Sequence, residues 1–153
     1  MKKVVDFNSQ KDHYTADACV VWCFDDRFYK LLKAFGKQEG WKNIDLVKVA
    51  GGAKALAGGA SSEANASSPE RDFLINQIKT SIRLHGTRCV ILMTHRDCGA
   101  YGGSKAFASS EAEQAQHETQ LRAARKFVAD ALGESSSISV DAYFADFDGL
   151  YTV

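Results

Sequence analysis

The chain alternates short, unbroken apolar runs with longer segments in which apolar side chains recur at helical spacing. Ala18 to Phe24 is a β-branched and aromatic run without polar interruption, as expected of a strand buried on both faces. After Asp25 the period changes. Phe28, Leu31, Leu32 and Phe35 predict a helix, with Asp26 as its N-cap and Gly36 and Gly40 as stops. Ile44 to Ala50 predicts a second strand. From Gly51-Gly52 to Ser68 the chain is rich in Ala, Gly and Ser and nearly free of large apolar side chains, which predicts a loop or lid with room for a short helix. Ser68-Pro69-Glu70 then opens a helix whose stripe of Arg71, Ile75, Ile78 and Ile82 ends near Gly86. Arg88 to His95 reads as a third buried strand. Ser110-Glu111-Ala112-Glu113 reads as a capping box for a long helix, with Leu121, Ala124, Val128 and Leu132 on one face and Gly133 at its end. Ile138 to Ala145 predicts the last strand, followed by a turn at Asp148-Gly149.

Strands alternating with helices, without internal repeat or linker, predict an α/β fold: an open, mainly parallel β-sheet flanked by helices. In such sheets ligands bind beyond the carboxyl ends of the strands. One domain covering residues 1–153 is expected, with 1–17 as a candidate N-terminal arm.

Composition narrows the function classes. With 45% hydrophobic and 25% charged residues, the 153-residue chain has enough apolar material for one core. Lys+Arg and Asp+Glu both total 19, so no net field draws it to nucleic acid or to anionic lipid. Met1-Lys2-Lys3 is basic, but Val4 to Asp17 is too polar for a signal-peptide core, and no apolar run is long enough for a bilayer. Cysteines at 19, 23, 89 and 98 are too few and scattered for a disulfide framework, which predicts reduced thiols and a cytoplasmic protein.

The candidate chemistry lies at strand ends. Cys23 ends the first strand and His95 the third, and a doubly wound strand order brings them together at its switch point. Cys98 follows His95 by three residues, so one tight turn can present an imidazole and a thiolate to one ion. A Cys2His set with an open fourth position suits zinc better than magnesium or calcium, which prefer oxygen. At a rise of about 3.3 Å per residue, Cys19 lies roughly 13 Å from Cys23 and Cys89 about 20 Å from His95, so both read as packed thiols. Asp25 and Arg27 share the turn after the first strand. The guanidinium and the helix N-terminus would hold Asp25 ionised, ready to accept a hydrogen bond from a zinc-bound water. Blander readings stand beside these: a helix cap with a surface ion pair, thiols and an imidazole that never meet, or a structural zinc closed by Asp25. His13, His85 and His117 read as surface or helix-end residues, and Trp22, Phe24 and Tyr101 as candidate pocket walls.

Cys23-x-Asp25-x-Arg27, then Ala50-Gly51, then His95-x-x-Cys98-Gly99 resembles the β-class carbonic anhydrases. The likeness covers most of the chain, and Val140 to Leu150 is similar to that family's final strand. The resemblance implies a compact version of the family's fold with one zinc ion per chain on Cys23, His95 and Cys98. It further implies reversible hydration of carbon dioxide to bicarbonate and a proton by zinc-bound hydroxide, in a homodimer or higher homo-oligomer with sites near the subunit interface. Asp25 would orient the hydroxide, Arg27 would fix Asp25, and backbone near Gly99 would assist the developing anion. Two rivals remain open: hydrolysis of carbon disulfide or carbonyl sulfide at the same zinc site, and a zinc-binding, non-catalytic interaction protein. Three departures bear on them. Lys48-Val49 stands where the family usually carries Arg-Asn, Arg96 where a small polar residue is usual, and Thr94 where Gly commonly precedes the metal histidine.

Overall fold

The computed structural model describes residues 1–58, 68–133 and 137–153. Its strands are β1 (Ala18–Trp22), β2 (Ile44–Lys48), β3 (Cys89–His95), β4 (Ser139–Asp146) and β5 (Gly149–Thr152). Its helices are α1 (Tyr29–Gln38), α2 (Lys54–Ala57), α3 (Pro69–His85) and α4 (Ser110–Leu132). The sheet order is β2-β1-β3-β4-β5, with the first four strands parallel and β5 antiparallel to β4. The expected α/β fold with a mainly parallel sheet is therefore present. The antiparallel edge strand β5 was not foreseen: the Asp148-Gly149 turn folds the chain back instead of ending the sheet.

Side chains alternate across the central strands and divide the core in two. Cys19, Val21, Val90 and Leu92 pack under α2, α3 and α4 with Leu56, Leu74, Ile78, Leu121 and Val128. Val20, Trp22, Ile91 and Met93 pack on the other face against Phe28, Leu32 and Phe35 of the turn and helix that follow β1. Helices on both faces explain why β1 and β3 read as continuous apolar runs rather than alternating ones.

Several boundaries moved for local reasons. Asp25, not Asp26, is the N-cap: its carboxylate accepts the Arg27 N–H at the start of a 3-10 turn over Asp26–Phe28, and α1 follows. Gly36 does not stop α1, which runs on to Gln38 and ends before Gly40, at φ 72°. Ser68 caps α3 as expected, accepting the Arg71 N–H, and Gly86 ends it in the left-handed region. α4 is capped by Ser109, whose hydroxyl accepts the Ala112 N–H, so the cap lies one residue before the expected Ser110 and, with Ala112 at N3, no capping box closes. Of the expected loop or lid after Gly51-Gly52, the short helix α2 is formed, while 59–67 lies outside the described residues. Gly52 is obligatory there. Its φ is 57°, and a Cβ on it would sit 2.2 Å from the Met93 carbonyl oxygen.

Residues 1–15 are exposed and carry no regular structure. The chain is pinned just beyond. The Asp17 carboxylate accepts the N–H groups of Lys42 and Asn43, the Ala16 N–H reaches the His85 carbonyl, and the Tyr14 hydroxyl donates to Asp45. Among the described residues, no helix is long and apolar enough to cross a membrane.

Candidate metal centre

Because β1 and β3 are adjacent and parallel while their following helices lie on opposite faces, their carboxyl ends open into a crevice between diverging connections. Cys23 is the first residue past β1, His95 the last of β3, and Cys98 the residue before a 3-10 turn over Gly99–Tyr101. One donor atom from each lies within 4.8 Å of the others, and all three residues are buried. Cys19 is a core thiol under α3 and Cys89 is half-buried at the far end of β3; neither joins the group.

The histidine is preset for one role. Its Nδ1 lies 2.8 Å from the Arg96 carbonyl, which fixes the proton on Nδ1 and leaves the lone pair on Nε2. That Nε2 is buried and has no hydrogen-bond partner among the described residues. Trp22 meets the imidazole edge-on at 5.8 Å between centroids and Phe28 packs on it at 4.7 Å, so water is excluded from its flanks.

The two thiols are pushed in opposite directions by their pairing. A hydrogen bond with Cys98 holds the Cys23 thiol well below the ordinary thiol range against the penalty of burial, with further help from His95 and the backbone of Asp25 and Gly51. The same pairing, together with burial, pushes Cys98 up. For His95, burial opposes the charged ring, but Cys23, the Arg96 carbonyl and Asp25 raise it on balance. Two sulfurs and an unpartnered imidazole nitrogen brought together by buried residues form a donor set that a soft-to-borderline dication satisfies better than a proton does. The residues present therefore fit zinc.

Asp25 lies beside this set, with its Oδ2 3.9 Å from His95 Nε2. Arg27 grips the carboxylate with Nε at 3.0 and 3.1 Å and Nη2 at 2.7 Å, a side-on fork held by charge-assisted bonds. The guanidinium lowers the Asp25 carboxyl to about 2, and the Arg27 pKa rises in return. The other edge of Arg27 reaches the chain between the sulfur and nitrogen donors: Nη1 donates to Asp97 Oδ2 at 2.9 Å and Nη2 to the Asp97 carbonyl at 3.0 Å.

Sequence reasoning placed Asp25 and Arg27 here and missed Asp97 and Glu113. Asp97 was hidden inside the His-x-x-Cys spacing, and Glu113 was assigned to a capping box when it is buried and faces inward. Arg96 turns away from the crevice, to Asp146 at 2.6 and 3.0 Å and the Ser110 carbonyl, so this departure does not fill the site. Lys48 is exposed, and Thr94 is buried opposite Phe144 on the face away from His95. Phe24 points to solvent at 61% exposure, so it is no pocket wall; Phe28 takes that place, with Phe147 stacked on it. His117, expected at the surface, is fully buried between Tyr101 and Phe144.

A family model described as "Putative carbonic anhydrase" matches residues 14–148. Among solved structures, a β-carbonic anhydrase isoform from the protozoan Trichomonas vaginalis superposes with a TM-score of 0.60 at 14% identity, covering 96% of this chain and 87% of that one. A carbonic anhydrase from Streptococcus mutans gives 0.52 at 16% identity, covering 92% and 83%. One of two tetrameric β-carbonic anhydrases from Sordaria macrospora gives 0.50 at 13% identity, covering 92% and 81%. At these identities the likeness is one of fold. No curated protein matches the chain.

Proposed function

The chain belongs to the carbonic anhydrase family, and on that basis we propose that it catalyses the reversible hydration of carbon dioxide to bicarbonate, with Cys23, His95 and Cys98 holding one zinc ion. When bound, zinc supplies a Lewis acid that makes water nucleophilic near neutral pH. The observation that carries the reading is the place of Asp25: an ionised carboxylate, locked by Arg27, next to the one unpartnered nitrogen of a buried Cys2His set.

The roles of the chain's own groups follow from their bonds. Asp25 Oδ1 accepts the backbone N–H and Nε of Arg27, while Oδ2 accepts Nε and Nη2 from one side and keeps a lone pair towards the crevice. That lone pair accepts a hydrogen bond from the attacking water and turns the water's own lone pair towards the carbon of the substrate. Asp25 is not the base that removes the proton at neutral pH, since a carboxyl near 2 holds a proton too weakly. Arg27 keeps Asp25 in place and charged. Trp22 and Phe28 close the flank of His95 with apolar surface, which suits a small uncharged substrate and disfavours water away from the reacting position.

We further propose a single domain working in the cytoplasm as a homodimer or larger assembly. The free thiols suit a reducing compartment, and the Sordaria macrospora relatives are tetrameric. Stopped-flow hydration of carbon dioxide by protein of known zinc content tests the activity, with Cys98→Ser alongside. Fast hydration with one zinc per chain, lost in the variant, is expected. Zinc at that ratio without hydration at any pH would overturn the anhydrase reading and turn attention to carbon disulfide and carbonyl sulfide.

A further inference from the structure

Arg96 and Asp97, the two residues between His95 and Cys98, are both held by one carboxylate from α4. Glu113 has no solvent exposure. Its Oε1 accepts the Asp97 backbone N–H at 2.7 Å, and its Oε2 lies 3.4 Å from Arg96 Nη1. Burying a carboxylate is costly, and a well-packed apolar residue of the same volume is commonly as stable or more so, so stability does not account for a charge here.

Backbone geometry does. Asp97 has φ 54°, in the left-handed region that residues with a Cβ seldom enter, and it is the sole such non-glycine position among the described residues. With its N–H anchored on Glu113, that conformation turns both the Asp97 carboxylate and the Asp97 carbonyl to Arg27. The second carboxylate oxygen accepts the Ser104 N–H at 2.9 Å and ties down the loop beyond Cys98. A continuous series of bonds thus runs from Glu113 through Asp97 and Arg27 to Asp25. The same turn sets how His95 and Cys98 face each other.

We infer that Glu113 is a positioning residue: through Oε1 on the Asp97 N–H it fixes the turn that carries His95 and Cys98, and through Arg27 it fixes Asp25. Arg96 balances its charge and staples the turn to the ends of β4 and α4 through Asp146 and the Ser110 carbonyl. The inference rests on the metal-centre reading, but not on turnover.

The test compares four full-length, metal-loaded proteins: wild type, Glu113→Gln, Glu113→Met and Val128→Ala. Glutamine keeps an oxygen acceptor in place. Methionine keeps the volume and removes the acceptor. Val128→Ala opens a cavity elsewhere in α4 and controls for general loss of stability. Zinc affinity is read by competition with a chromophoric chelator, and ligand geometry by the visible ligand-field spectrum after loading with cobalt(II). Glu113→Met should weaken zinc by about 10- to 100-fold, the usual range for outer-shell partners, and change the cobalt spectrum. Glu113→Gln should stay within a few-fold of wild type, and Val128→Ala should leave both readouts unchanged. The inference is overturned if Glu113→Met binds zinc no worse than Val128→Ala, or if Glu113→Gln loses as much as Glu113→Met. Failure of wild type to hydrate carbon dioxide strikes the proposed function alone, because neither readout involves turnover.

Discussion

Asp25 and His117 are opposite uses of a titratable side chain. The Asp25 carboxyl is depressed by Arg27, so its pairing stabilises the folded chain in full above the ordinary carboxylate range and is lost as pH falls towards about 2. Through the neutral and alkaline range it stays ionised, and Asp25→Asn should remove its ion pair with Arg27 without disturbing the zinc donors. Hydration should then fall about 100-fold or more while zinc content is unchanged. His117 is held neutral by burial; Glu113 opposes this, while His95, Arg96 and Lys54 add to it, so its pKa falls from 6.5 to about 4. The unfolded chain takes up that proton below about 6.5 and the folded chain does not until about 4. Stability therefore drops as pH falls through that window. The loss is at most about 3 kcal/mol. His117→Phe, which suits the neighbouring rings of Tyr101 and Phe144, should flatten this part of the curve. Urea unfolding at a series of pH values decides it, and equal slopes for the two proteins would refute the assignment.

At the scale of elements, the start of α4 is where one residue of register has consequences. Ser109 caps the helix, and Glu113, one i+4 step before His117 and two before Leu121, lies on its buried side and reaches the turn after β3. As the cap, Ser110 would instead have Glu113 as its N3 partner. The two are separable by measurement. Ser109→Ala should cost about 1 kcal/mol of unfolding free energy, whereas Ser110→Ala should cost only a few tenths. The reverse order would return the box to Ser110. The ends of β1 and β3 show the same economy of position. Trp22, Met93 and His95 project to the α1 face, so shifting β3 by one residue would carry the His95 ring to the helices α3 and α4.

For the whole molecule, the crevice at the switch point is where two core layers end and the three buried donors meet. Anything bound there that does not bind the unfolded chain adds its binding free energy to stability. Zinc at about 1,000 times its dissociation constant contributes about 4 kcal/mol. A chelator should therefore lower the thermal midpoint by about 10 °C, and added zinc should restore it. Calorimetry of the stripped and reloaded protein reads this directly; an unchanged midpoint would count against a metal in the folded state. The thiol pair adds a pH dependence, since zinc competes with the proton the pair retains, chiefly on Cys98, and the gap between the two midpoints should widen as pH rises.

Much of this was legible in one dimension because it depends on local sequence. The apolar runs 18–24 and 88–95 could only be buried strands, Ser68-Pro69 could only open a helix, and Cys23, His95 and Cys98 stand at ends that an α/β order brings together. The Asp25–Arg27 pair was also readable, because two residues in one turn meet without help from the rest of the chain. What sequence did not determine depends on contacts between distant segments. β5 pairs back on β4 because a free edge and a tight turn were available. Arg96 leaves the site because Asp146, far along the chain, offers it a carboxylate. His117 and Glu113 look like surface residues on a polar helix, and only the packing of α4 on the sheet decides that they face inward. Local spacing fixed which residues have the chemistry. Tertiary packing decided which neighbours hold them in place, because a buried polar group must find its partner wherever the fold puts one.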